Sequence, residues 1–317
     1  MKAVVTVPDR QAGRGRKLTP SPVKEYAVER GLPVLQPEKL RDPEFLERLK
    51  SYNADLFVVV AFRMLPEVVW TMPRLGTFNL HAALLPQYRG AAPINWAVIN
   101  GEQMTGVTTF LIDKEIDTGK IIFREEHRIK DTDNVGDVHD ALMEIGSDLV
   151  VRTVQGLIEN NVETRVQRSF IQGSEVLKPA PKLTRELCHI DWNDTTRHIY
   201  NLIRGLSPYP AAFTEIVPAG RDDAAPLQLK IYEAARMTAD DVLQLNGGAP
   251  AVPGTVLSDG KNILAVATAD GAIEIRDLQL SGKKRMVTAD FLRGFREPQS
   301  YVCTPGTSKA EIAKTRA

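Results

Sequence analysis

Short apolar runs alternate with amphipathic stretches over the first 180 residues. The runs are rich in β-branched residues and predict strands at 3–7, 33–36 and 55–62. Between them, a Ser21 cap before Pro22 and an apolar stripe along 134–159 predict helices. Residues 56–61 are apolar at every position, which is typical of a strand covered on both faces. The alternation predicts an α/β domain with a doubly wound, mainly parallel sheet.

The pattern changes after residue 178, where Pro179 and Pro181 interrupt the chain. Beyond residue 210, short strands with alternating apolar and polar positions follow one another between breaker residues. These strands are predicted at 211–217, 226–235, 254–258, 263–268 and 272–280. Strands of this length and frequency are typical of a small β-barrel. We therefore predict two domains, 1–178 and 179–317.

The composition is that of an ordinary globular protein, with 317 residues, 43% hydrophobic and 25% charged. The formal net charge is zero, so any attraction to nucleic acid must come from local basic patches. Cys188 and Cys303 match no metal-ligand or redox spacing, which favours a reducing cytosol. No apolar run approaches the roughly 18 residues of a membrane-spanning helix.

Candidate chemistry lies in residues 76–93, GTFNLHAALLPQYRGAAP, where a predicted strand ends in a loop punctuated by Pro and Gly. Alternate residues of a strand face the same side, so Asn79 and His81 are predicted to lie side by side. An amide there can stabilise a developing oxyanion, and an imidazole can move a proton near neutral pH. Asp117, in a predicted turn, is a candidate acid to orient the imidazole.

On spacing alone, each of these features also fits a plain structural role. The Asn-x-His pair fits two half-buried polar residues, and Asp followed by Thr and Gly is a common turn. Taken whole, FNLHAALLPQYRGAAPINWAVINGE and GVTTFLIDKEIDTGKII resemble the catalytic core of the folate-dependent formyltransferases. Within that superfamily the chain most resembles the methionyl-tRNA formyltransferases.

This resemblance runs from residue 3 to about residue 297 and implies a formyltransferase domain followed by an OB-like barrel. It implies an enzyme that transfers a formyl group from 10-formyltetrahydrofolate to the α-amine of methionyl initiator tRNA. Asn79, His81 and Asp117 match the family's catalytic trio. The resemblance further implies no metal, a monomer, and the cytoplasm of a bacterium.

The resemblance also assigns ligand-binding residues. The family segment that lies against the folate matches Ala83, Leu84, Leu85 and Pro86, with Ala83 in place of the usual Ser. A basic loop that enters the tRNA acceptor stem in the family, and a basic turn near the end, are matched here by Arg10, Arg14, Arg16 and Lys17, and by Lys283, Lys284 and Arg285. A bare solvated loop and a bare surface turn are the alternatives.

Members of the family begin with a further strand and helix, which are missing from this chain as given. Because the first strand of a doubly wound sheet is central, we expect the strands beside it to lack a neighbour. Three other functions stay open. They are formylation of an amino sugar or another small amine, tRNA binding by an inactive remnant of the family, and hydrolysis of the folate donor. The basic loop and turn favour the tRNA enzyme over the small-amine enzyme.

Overall fold

A computed structural model of the chain describes residues 1–12, 17–61, 63–221 and 224–306, with the backbone alone for Ala12 and Lys17. The chain divides into two compact units, each made of three segments. The first unit comprises Met1–His81, Thr108–Arg124 and Gly146–Gly173. The second unit comprises Ala82–Val107, Glu125–Ile145 and Ser174–Ala317. The domain boundary at 178 stays a prediction.

The N-terminal half alternates strands with helices, as predicted. Its elements, in chain order, are β1 (Val4–Val5), β2 (Arg10–Ala12), β3 (Lys17–Thr19), α1 (Pro22–Glu29), β4 (Val34–Leu35), α2 (Pro43–Ser51), β5 (Phe57–Val60), α3 (Glu67–Trp70), β6 (Thr77–His81), α4 (Pro93–Ile99), β7 (Met104–Leu111), β8 (Ile121–Arg128) and α5 (Val135–Ile158). Side-chain caps start two of the helices. Ser21 accepts the Lys24 amide at α1, and Asp42 accepts the Phe45 amide at α2.

The sheet of this half is mixed. Its strands lie in the order β5-β6-β7-β8, with β5 and β6 parallel and β6 and β7 antiparallel. β1 pairs with β4 in a separate parallel sheet. Among the described residues β1 and β5 each have one strand neighbour.

Strand β5 corrects one expectation. We predicted a strand covered on both faces, but Val58 and Val60 are 43% and 54% exposed. Only the other face packs, because Phe57 lies against a cluster that includes Leu35 and Phe45. A continuous apolar run therefore does not prove that both faces are buried.

In the basic stretch near the N-terminus, the described residues on either side of 13–16 form two short paired strands, here called the β2–β3 hairpin. β2 and β3 pair antiparallel, with Arg10 opposite Thr19. The hairpin is anchored at its base, where Lys24 Nζ lies 2.6 Å from Asp9 Oδ2 and Gln36 Nε2 donates to Asp9 Oδ1 at 2.8 Å. The hydrogen bonds from Lys24 and Gln36 lower the pKa of Asp9.

The C-terminal half contains a nearly closed antiparallel β-barrel, which confirms the predicted α/β-plus-barrel fold class. Its elements are α6 (Arg185–Cys188), α7 (Thr196–Leu206), β9 (Ala212–Pro218), β10 (Leu227–Met237), α8 (Ala239–Leu245), β11 (Val256–Ser258), β12 (Leu264–Ala267), β13 (Ala272–Leu280), β14 (Met286–Val287), α9 (Thr288–Gly294) and β15 (Tyr301–Cys303). The strands follow the order β11-β12-β13-β10-β9-β15. An isolated bridge between Thr255 and Val302 links the two ends of that order.

Helices α4 and α7 pack closely within the second unit because Gly205 has no side chain. A Cβ at Gly205 would lie 2.5 Å from Ile99 Cγ1 and 2.9 Å from the Ile99 backbone nitrogen. Asn95 Nδ2 also donates to the Gly205 carbonyl at 2.8 Å. The contact between the two helices therefore depends on a bare backbone surface.

We expect Gly205→Ala to lower the free energy of unfolding by about 1–3 kcal/mol, because the helices must move apart to admit the methyl group. Urea unfolding measures the change. The matched control is Gly294→Ala, also in a helix but with no atom near its Cβ position. There alanine should be neutral or slightly stabilising. Equal destabilisation by both substitutions would contradict the packing argument.

Candidate active site

Strand β6 brings the first two predicted catalytic residues together. Asn79 pairs with Phe110 and His81 pairs with Thr108 on the antiparallel strand β7, so both side chains face the same side of the sheet. His81 is 5% exposed, and its ring meets the Phe110 ring edge to face at 6.5 Å between centroids. The imidazole is therefore held in a nearly water-free position.

Asp117 reaches this imidazole from the turn between β7 and β8. Its Oδ2 lies 3.8 Å from His81 Nδ1, and its side chain is 15% exposed. The distance is too long for a hydrogen bond but short enough for a charge interaction when the imidazole is protonated. Asp117 has φ of +55°, in the left-handed region that Asp tolerates better than most residues.

The turn that carries Asp117 is fixed on several sides. A Cβ at Gly119 would lie 1.6 Å from the Leu111 carbonyl oxygen, so only glycine fits there. Thr118 Oγ1 donates to Asp113 Oδ1 at 2.7 Å. Gln167 Nε2 donates to the carbonyl oxygens of Asp117 and Gly119 at 2.8 and 3.0 Å. No sequence pattern points to Gln167, because it lies 50 residues from Asp117 in a stretch without periodicity.

The Asn79 amide has one oxygen without a hydrogen-bond partner among the described residues. This atom, Oδ1, is buried. An unpaired buried acceptor costs about 1–3 kcal/mol, and native structures contain few of them. A bound molecule would complete the hydrogen bonding of this amide. A half-turn of the amide would instead present its NH₂ group, a donor suited to an oxyanion.

The predicted folate segment forms a tight part of the second unit. Ala83 and Leu85 are fully enclosed, and Pro86 is buried. Leu84 is partly exposed and packs over Gly106, where an added Cβ would lie 2.6 Å from Leu84 Cδ2. Leu84 is thus the member of this segment with a side chain accessible to a ligand, and the enclosed residues define the shape of the loop.

The chain that follows this segment is paired with residues 178–180. Tyr88 N donates to the Lys178 carbonyl, and Ala180 N donates to the Arg89 carbonyl. Gly90 permits the approach, because a Cβ there would lie 2.5 Å from the Ala180 carbonyl oxygen. The Tyr88 hydroxyl donates to Glu102, and burial together with this bond raises the pKa of Tyr88.

The predicted RNA-contacting residues lie in different settings. Arg10 is exposed at the start of β2, whereas Arg14 and Arg16 lie outside the described residues. Lys17 is described by its backbone, in β3. Lys283 and Lys284 are exposed.

Arg285 is already engaged within the protein. Its Nε lies 2.9 and 3.0 Å from the two Asp277 carboxylate oxygens, and its guanidinium stacks 4.2 Å from the Tyr232 ring centroid. These bonds to Asp277 raise the pKa of Arg285. Lys283 and Lys284 therefore supply most of the free positive charge of this turn.

Two further properties of the described residues concern metal ions and membranes. Among the described residues, no group of three or more His, Cys, Asp or Glu side chains is placed to bind a metal ion. None of the helices in the described part of the chain has the length and apolar character needed to cross a membrane.

The fold is shared with several solved structures. HypX from Aquifex aeolicus, in complex with tetrahydrofolic acid, matches 92% of this chain and 46% of its own, at a TM-score of 0.58 and 18% identity. The sugar 3N-formyl transferase WlaRD matches 82% of both chains at a TM-score of 0.55 and 18% identity. At such identities the likeness establishes the fold alone.

Sequence relatives are much closer. Methionyl-tRNA formyltransferase of Parabacteroides distasonis is 54% identical over 299 residues, which cover 94% of this chain and 89% of that protein. The Bacteroides fragilis protein of the same name is 51% identical over 298 residues, covering 94% and 88%. The Flavobacterium johnsoniae protein is 49% identical over 291 residues, covering 92% and 87%.

Family models match both halves of the chain. The model described as "Formyl transferase" matches residues 1–154, and the model described as "Formyl transferase, C-terminal domain" matches residues 182–296. Together with relatives that share about half of the sequence over nearly its whole length, these matches identify the family. The chain belongs to the formyltransferases, within the methionyl-tRNA formyltransferase family.

Proposed function

We propose that this protein transfers a formyl group from 10-formyltetrahydrofolate to the α-amine of methionyl initiator tRNA. The observation that carries the proposal is the buried His81–Asp117 pair at 3.8 Å, beside an Asn79 amide whose oxygen has no partner in the described structure. An amide, an imidazole and a carboxylate are the groups that acyl transfer to an amine requires. The names of the close relatives support the same reaction.

Asn79 has the role of stabilising negative charge on the formyl oxygen. When an amine adds to a formyl carbon, the carbonyl oxygen becomes an oxyanion, and an amide NH₂ fixed in advance stabilises it without reorganisation. Asn79 lies on strand β6, which fixes the position of its side chain. With the amide turned by half, its NH₂ group takes the unpaired position of Oδ1 and can donate to the oxyanion.

His81 and Asp117 handle the proton. The Asp117 carboxylate orients the imidazole and stabilises its protonated form, which adds a positive charge beside the oxyanion. In the complete reaction the amine loses one proton and gains the formyl carbon, while the departing donor nitrogen gains one proton. In this mechanism protonated His81 gives its proton to the departing nitrogen, and the proton that water or Asp117 takes from the amine then restores the protonated imidazole.

The folate donor supplies a formyl group that is already activated toward amines. Leu84, with its partly exposed side chain, is the residue that we assign to direct contact with the donor. Ala83, Leu85 and Pro86 are assigned to shaping the loop, because they are buried. HypX, whose structure includes tetrahydrofolic acid, has the same fold.

We assign tRNA binding to the β2–β3 hairpin and to the basic turn at Lys283 and Lys284. Arg10, Arg14, Arg16 and Lys17 provide the positive charge of the hairpin. The hairpin rests on the Asp9–Lys24 ion pair, which fixes where it leaves the domain. We further propose a monomer that acts in the bacterial cytoplasm, with domains 1–178 and 179–317.

A small-amine acceptor is the main competing function, because a sugar 3N-formyl transferase shares the fold. The basic hairpin and turn argue against it, since a small acceptor needs neither. The competing proposal of an inactive RNA-binding remnant does not explain why the Asn79, His81 and Asp117 positions are all occupied by reactive residues in one unit.

His81→Ala and Asp117→Asn are each expected to lower kcat for formylation of methionyl initiator tRNA by about 10²- to 10⁴-fold. The affinity for the tRNA should not change, because neither residue is assigned to RNA contact. Rapid-quench measurement of formyl transfer and filter binding of the tRNA give the two quantities.

The control is His198→Ala, since His198 and Asp194 form a similar pair, 2.7 Å apart, in an exposed part of α7. It should keep the original kcat. Normal kcat in Asp117→Asn, or an equal loss of kcat and tRNA affinity in a folded variant, would refute the assigned roles.

Arg10→Ala and Arg14→Ala are expected to weaken tRNA binding without lowering kcat at saturating tRNA. Each phosphate contact that is lost should reduce the slope of log affinity against log salt by about one. Arg74→Ala is the control, since Arg74 is an exposed arginine paired with Asp55. A salt slope that is the same in all variants would show that the hairpin is only surface.

A further inference from the structure

The position of Asp117 depends on the turn that carries it. Residues 112–120 connect β7 to β8, and within this connection Asp117 adopts a left-handed backbone conformation. Thr118 and Glu115 bond to Asp113, but this network lies in exposed chain. A shift of about 1 Å in a catalytic group can cost about a hundredfold in rate. A contact with a buried part of the chain would hold the turn more rigidly than these exposed bonds.

Gln167 provides that support from inside the first unit. Gln167 is 3% exposed, and its Nε2 donates to the Asp117 carbonyl at 2.8 Å and to the Gly119 carbonyl at 3.0 Å. One amide thus bonds both ends of the turn. Two carbonyl oxygens so close together require a donor with two N–H groups, which Gln has and an ionised Glu lacks.

The segment that carries Gln167 is itself hydrogen-bonded to β8, the strand that follows the turn. Arg165 and Ile121 exchange two backbone hydrogen bonds, at 2.8 and 2.9 Å, two residues after the turn. Phe170 lies between the guanidinium groups of Arg124 and Arg165, at 4.9 and 5.0 Å from its ring centroid. These contacts fix the backbone on both sides of Gln167, so its amide approaches the turn from a rigid base.

We propose that Gln167 is a positioning residue, which holds the turn so that the Asp117 carboxylate stays within reach of His81. The inference rests on the proposed roles of Asp117 and His81. In this proposal Gln167 acts on the reaction through Asp117. Its removal should therefore affect kcat through Asp117 alone.

The test is a double-mutant cycle with Gln167→Met, which keeps side-chain length but has no N–H donor. Gln167→Met is expected to lower kcat by about 10- to 100-fold and to leave KM for the tRNA unchanged. In the Asp117→Asn background it should cause no further loss, because groups that act through one another are not additive. Losses that multiply in the double variant would overturn the inference.

A second measurement does not depend on activity. Hydrogen–deuterium exchange over residues 113–120 should become faster in Gln167→Met, and also in the shorter Gln167→Asn should Gln167→Met fail to fold. Unchanged exchange in a folded variant would overturn the inference. Asn246→Ala is the control, because Asn246 Nδ2 likewise donates to two turn carbonyls, those of Ala249 and Pro250, at 2.9 and 3.3 Å. It should keep the original kcat and the original exchange over residues 113–120.

The single variants separate this inference from the proposed function. Normal kcat in Asp117→Asn would refute the assigned role of Asp117 and the inference with it. A large loss in Asp117→Asn together with normal kcat in Gln167→Met would refute the role of Gln167 and leave the proposed function intact.

Discussion

The approach of Asp117 to His81 is the interaction on which the site depends. Both groups are largely withdrawn from water, at 15% side-chain and 5% residue exposure, and withdrawing a charge costs several kcal/mol. A carboxylate close to the imidazole offsets part of that cost when the imidazole is protonated. Gly119 and Gln167 restrict the turn that carries Asp117, the first through a close backbone approach and the second through two hydrogen bonds.

Asn79 differs from this pair, because the hydrogen bonding of its side-chain oxygen is incomplete among the described residues. A buried amide oxygen without a partner destabilises the fold, while the neighbouring turn is bonded at several points. Functional sites commonly retain such costs, since a group that is satisfied by the protein has nothing left to offer a ligand. The first unit thus combines a rigid acid–base pair with one unsatisfied amide, and that combination suits a reaction in which charge appears on an incoming molecule.

The sequence predicted the features that depend on local pattern. Alternation placed Asn79 and His81 on one face, breaker residues located the Asp117 turn, and short strands indicated the barrel. The sequence did not predict the features that depend on tertiary contacts. Gln167 lies among polar residues with no periodicity, and its role arises from a contact across fifty positions. The exposure of Val58 and Val60 was not predicted for the same reason. Nor was the pairing of Arg285 with Asp277, because residue type alone does not show which residues will be in contact.

The charge distribution bears on how RNA would be captured. With a net charge of zero, the protein has no long-range attraction for a polyanion, so encounter depends on basic groups at defined places. In the turn at 283–285, Asp277 largely neutralises the charge of Arg285. Lys283 and Lys284 therefore carry the remaining free charge of the turn. The hairpin carries its charge on a base fixed by Asp9 and Lys24. Recognition of RNA by such a protein depends on where a few cations are held rather than on how many there are.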